Sequence, residues 1–150
     1  MKNLFTEKDT QETLKRIDSL TENSKPNWGK MSVGQMLSHC SVTYEMVFTD
    51  KHKKPNLFLK LILKTFIKKA VVSEKPYPKN GKTSPQFLIT DKKDFLKEKE
   101  PLKNYMKQTQ KLGESYFEGK ESNSFGKLTA AEWNAMFYKH LNHHLTQFGV

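Results

Sequence analysis

The stretch TAAEWNAMFYKHLNHHLTQF, residues 129–148, decides the fold class. Thr129 and Glu132 stand three residues apart, the spacing of a capping box, in which each side chain satisfies an orphan backbone N–H at a helix start. Beyond it, Trp133, Phe137, Leu141 and Phe148 recur at steps of four and seven instead of alternating. At about 100° per residue they share one arc, with His144 inside it, His140 at its edge and His143 on the flank. The pattern predicts an amphipathic helix from about Ala130 to Phe148.

Working outward, Ser32 and Gln35 form a second capping box, ahead of VGQMLSHCSVTYEMVF (33–48). Leu14, Ile17 and Leu20, with Thr6 as N-cap, mark a helix from about Glu7 to Leu20. A third covers about 56–71. There Lys60, Lys64 and Lys68 fall on one side, and Leu59, Ile62, Leu63, Phe66, Ile67 and Ala70 on the other, so the periodicity predicts an amphipathic helix with a basic face. SEKPYPKNGKTSPQ (73–86) carries three prolines and reads as the longest loop, and QFLIT (86–90) as a short strand or extended lead-in. Asp91 can cap a helix over 92–113, which Pro101 should kink or divide, and 113–127 reads as loop. The expected fold is all-α: an antiparallel four-helix bundle with additional short helices or loops, in one domain over 1–150.

Hydrophobic residues make up 35% and charged residues 28% of the chain, yet ten Phe, five Tyr, two Trp and six Met supply bulky core material. The net charge of +10 is local. Residues 51–111 hold 17 Lys+Arg against 5 Asp+Glu, while 1–50 hold 6 against 7 and 112–150 hold 3 against 4. The most apolar window, 57–72, is interrupted by Lys60, Lys64, Lys68 and Lys69, and a bilayer span needs about 20 mostly apolar residues, so no transmembrane segment is expected. The single cysteine, Cys40, has no internal disulfide partner, and MKNLFTEKDT lacks the apolar run of a secretory signal, which makes the cytoplasm the expected location.

His140 and His144, four residues apart, project from successive turns, a spacing that lets two imidazoles reach one ion. The same pattern also suits half-buried core histidines. His39, in the middle of the second helix, is the third candidate, at the margin of a broad apolar face. His52, among lysines, is expected to be exposed. Cys40 reads as a small buried hydrophobe, Trp28 and Trp133 as core, and Gln147 as a partner that could orient an imidazole.

The segments WGKMSVGQMLSHC (28–40) and FGKLTAAEWNAMFYKHLNHHLTQFGV (125–150) resemble the two signatures of the DinB/YfiT-like superfamily of metalloenzymes. More narrowly, they resemble a branch classified only as a bacterial domain of unknown function. The resemblance spans nearly the whole chain, and the lysine-rich middle carries little of it. It implies a four-helix bundle holding one divalent metal ion, nickel or zinc, through one histidine of the second helix and two of the last. Matched residue by residue, these are His39, His140 and His144, with His143 outside the ligand set. It further implies a small-molecule substrate, with a metal-dependent hydrolase or a thiol-dependent transferase using a low-molecular-weight thiol as the expected chemistry, and it leaves room for a homodimer. No catalytic side chain is assigned.

The alternative is a non-catalytic basic binding module whose histidines are structural. With Leu57 and Leu61 on the polar side of the third helix and lysines beside them, its ligand would be an anionic membrane surface or nucleic acid. Nucleic acid is disfavoured, because the lysines are not interleaved with exposed aromatics and Arg16 is the only arginine. Lys99, Lys103, Lys107 and Lys111 recur every four residues and read as a solvated face.

Overall fold

In a computed structural model describing residues 1–150, the chain is mostly helical. In order come α1 (Glu7–Asp18), α2 (Val33–Phe48), α3 (Leu57–Ile62), a π-helical turn (Leu63–Ile67), α4 (Lys68–Val72), a 3-10 turn (Pro85–Phe87), α5 (Phe95–Phe117), β1 (Glu121–Ser122), β2 (Gly126–Lys127) and α6 (Ala130–Gln147). The two strands form a small antiparallel hairpin, with Ser122 opposite Gly126. No helix is long and apolar enough to cross a membrane.

Both capping boxes form. The Ser32 and Gln35 side chains bond each other's backbone N–H, as do those of Thr129 and Glu132, and these set the first turns of α2 and α6. Thr6 caps α1 as expected. α5 starts later than predicted, because Asp94 accepts from the Lys97 N–H at 3.0 Å whereas Asp91 pairs with Lys93. Pro101 lies within α5 without ending it. The break comes at Gly113, whose φ of 70° is open to glycine and costly for other residues. The expected 113–127 loop thus contains a last helical turn and the hairpin.

α2 packs against α5 and α6, and α1 against α5. Ile17, Met36, Leu37, Leu102, Phe137 and Leu145 are essentially inaccessible, each worth about 1.5–3 kcal/mol of burial. The Tyr44 ring lies near-parallel to Phe137 at 4.8 Å and to Tyr105 at 6.2 Å, which ties α2 to both neighbours.

The helical stretch 57–72 departs from its sequence pattern. None of its residues is buried, and its lysine side faces the protein: Lys60 pairs with Glu121 at 2.6 Å and Lys68 with Glu132 at 2.8 Å. Its apolar residues divide in two. Leu63, Ile67 and Val71 line a cavity, while Leu57, Phe58, Leu61 and Phe66 are exposed.

Two lysines close helix C-termini. Lys99 Nζ donates to the carbonyls of Asp18 and Leu20 at the end of α1, and Lys103 pairs with Asp18 at 2.7 Å, so this end of the α5 lysine stripe is not a solvated face. Lys139, buried on α6, donates to the carbonyls of Ala70 at 2.8 Å and Ser73 at 2.5 Å, satisfying the last turn of α4. Burial pushes its pKa down to about 8.

Lys139→Met keeps the apolar stem and strands two carbonyls. It should cost about 1–3 kcal/mol in denaturant unfolding and speed amide exchange across 68–72 relative to α2.

Candidate metal centre

His39 sits in the middle of α2, and His140 and His144 on successive turns of α6. The capping boxes fix where both helices begin, and the packing of α2 on α6 brings the three rings together. Their centroids form a near-equilateral triangle: 4.8 Å from His39 to His140, 4.5 Å from His39 to His144, and 4.9 Å from His140 to His144. One nitrogen from each ring can be chosen so that all three lie within 4.8 Å of one another, a group that could hold a metal ion. No other cluster of three His, Cys, Asp or Glu meets that condition.

The outer nitrogens are engaged. His39 Nδ1 donates to the Phe87 carbonyl at 2.7 Å, and His144 Nδ1 to Gln147 Oε1 at 2.8 Å. Each donation leaves the Nε2 lone pair of that ring free on the inner side. Gln147 is itself held, its amide donating to the Trp28 carbonyl at 2.6 Å. Gly29 makes that approach possible: its φ is 81°, and a Cβ there would lie 2.5 Å from Gln147 Nε2.

His140 is held differently. Its Nδ1 lies 3.0 Å from the Thr43 hydroxyl and its Nε2 2.8 Å from His39 Nε2. A hydroxyl both donates and accepts, so Thr43 suits either tautomer. In one, His140 Nε2–H donates to His39 and Thr43 donates to Nδ1. In the other, His140 Nδ1–H donates to Thr43 and all three Nε2 lone pairs point inward. Thr43, one turn beyond His39 on α2, is a participant the sequence reading missed, although its i, i+4 spacing was visible.

Burial is the main force on the protonation of these rings. It pushes His39 down, pulls His144 to about 3, and together with the neighbouring imidazoles holds His140 well below its ordinary range. The rings are therefore neutral near pH 7, the form that ligates metals. Three neutral imidazoles with inward nitrogens and anchored outer nitrogens fit a borderline divalent cation.

The triad opens onto a cavity of about 760 Å³, walled by Trp28, Phe87 and the 63–71 face of the neighbouring helix. Phe87 packs its ring against His39 at 5.4 Å and His140 at 5.6 Å. His143 also borders the cavity, but it faces Trp28 and Tyr77 edge-on and stands outside the triad. His52 is largely covered, contrary to expectation, since it donates to Glu45 at 2.8 Å. Cys40 is buried, its thiol pKa pushed up, and it donates to Met36 Sδ; it belongs to the core. Trp133 is core as well, whereas Trp28 is only half-buried.

A family model described as "Protein of unknown function (DUF1569)" matches residues 2–149. No curated protein and no solved structure matches the chain.

The lowered pKa values have a definite sign. In the unfolded chain a histidine titrates near 6.5, so below that pH the unfolded state binds protons that the folded triad refuses. Stability of the metal-free protein should be complete above about pH 6.5 and drain as the pH falls toward 3. Thermal melts at pH 7.5 and 5.0 should show the loss, and His144→Gln should shrink it. A melting temperature that is flat over this range would contradict the burial described.

Proposed function

The chain belongs to the family described as a protein of unknown function (DUF1569), and we propose that it binds one divalent metal ion through His39, His140 and His144. The observation that supports this most is the anchoring of His39 and His144 by their Nδ1 atoms, which commits the other nitrogen of each ring to one shared volume. Structural histidines need no common target for their lone pairs. Imidazole ligation suits nickel or zinc.

The surrounding helices, α1, α2, α5 and α6, make up the proposed antiparallel four-helix bundle, as in the DinB/YfiT-like superfamily that the sequence resembles. The packing of α2 on α5 and α6, and of α1 on α5, supports it.

We further propose an enzyme, a metal-dependent hydrolase or thiol-dependent transferase acting on a small molecule. Three protein ligands leave coordination positions open, and a divalent ion held there supplies Lewis acidity that makes a water or low-molecular-weight thiol nucleophilic near neutral pH. The chain's own contribution is to hold and orient. The Phe87 carbonyl and Gln147 set the ring planes of His39 and His144. Thr43 holds whichever His140 tautomer the site demands. The half-apolar cavity in front of the rings receives the substrate and limits its water.

Protein purified without a histidine tag and reconstituted should contain close to one metal per chain by elemental analysis. His144→Ala should empty the site and His143→Ala should not. Content below about 0.1 per chain in the unaltered protein would sink the reading. The role of Thr43 is separable: Thr43→Val, which keeps the shape and removes the hydroxyl, should weaken metal binding about 10- to 100-fold in competition with a chelator, and Thr43→Ser should restore it.

A further inference from the structure

The stretch 57–72 presents its apolar residues outward. Leu57 is 87% exposed, Phe58 73%, Leu61 62% and Phe66 74%, four bulky apolar side chains within ten residues of one helical stretch, beyond the scattered exposure of an ordinary surface. Leu88 is exposed as well, in a segment that Gln86 ties to the loop before α3 by donating to the Lys53 carbonyl. The rim of this patch is basic. Residues 51–82 hold ten lysines and one acidic residue, Glu74. Lys60 and Lys68 are turned inward onto Glu121 and Glu132 and Lys64 lies over the hairpin at Gly126, but Lys53, Lys54, Lys69 and Lys75 are exposed and form no ion pair.

We propose that this helix docks the protein on an anionic lipid surface, with Leu57, Phe58, Leu61 and Phe66 entering the interface and the free lysines meeting lipid phosphates. The combination of bulky apolar residues on one side of a helix with unpaired lysines beside them is what an interfacial helix requires, and none of the helices is suited to spanning. Charge argues against a second copy. A two-fold pairing through this patch would bring two lysine rims together with only Glu74 on each side to offset them. A polyanion such as nucleic acid would satisfy the lysines and leave the Leu and Phe side chains without a partner.

Leu63, Ile67 and Val71 of the same helical stretch line the cavity in front of the triad.

Co-sedimentation tests this with vesicles of phosphatidylcholine alone and vesicles containing roughly 30 mol% phosphatidylglycerol. The protein should bind the second set and leave the first largely unbound, and about 0.5 M salt should lower the bound fraction. The double variant Phe58→Ser, Phe66→Ser should reduce partitioning at least about tenfold. So should the charge reversal Lys53→Glu, Lys54→Glu, Lys69→Glu. All five side chains are exposed, so circular dichroism and melting temperature should match the parent protein. Absence of binding to the anionic vesicles, or equal binding by the Phe58→Ser, Phe66→Ser variant, would overturn the proposal. A lipid-free dimer in sedimentation equilibrium that the same variant dissociates would also overturn it, by showing a second copy on the face.

Discussion

Three imidazoles removed from water need partners for their ring nitrogens, and that requirement organises the rest of the molecule around the middle of α2 and the C-terminal half of α6. An unsatisfied polar atom in such a place costs about 1–3 kcal/mol, so the partners are recruited from wherever the chain can supply them. The 3-10 turn after the proline-rich loop brings the Phe87 carbonyl, and the segment before α2 brings Trp28 and Gly29 against Gln147. α2 itself contributes Thr43. Helices that meet only to bury Leu and Phe could slide by a turn at modest cost. Here a slide of α6 against α2 would break the contacts of His140 with Thr43 and His39 and that of Gln147 with Trp28 at once.

Much of this was legible in the sequence, for identifiable reasons. Capping boxes are local and chemically specific, which is why the starts of α2 and α6 could be read to the residue. Helical periodicity separated His143 from His140 and His144, and the family resemblance supplied His39, which periodicity left at a margin. The orientation of the 57–72 helix was not legible, because a helical wheel reports that apolar and basic sides exist without reporting which one the rest of the chain covers. The deciding contacts, Lys60 with Glu121 and Lys68 with Glu132, join residues more than sixty positions apart. Asp91 and Asp94 are both good caps, and only the packed structure selects Asp94.

The lysines show how poorly charge counts translate into surface. Lys99 and Lys139 end helices by donating to main-chain carbonyls, Lys60 and Lys68 hold a helix to the body, and the residue of free charge gathers beside exposed leucine and phenylalanine. A uniform basic coat would have none of these distinctions.

Two of the contacts that orient the triad end on main-chain oxygens, those of Phe87 and Trp28. A carbonyl is the same whatever side chain its residue carries. Apart from Phe87, whose ring touches two of the histidines, the loop over 73–94 can exchange its side chains without altering how His39 is aimed, and in the segment before α2 only Gly29 has a backbone that no other residue adopts cheaply. The aim of the histidines and the shape of the wall in front of them are thus free to change at different rates.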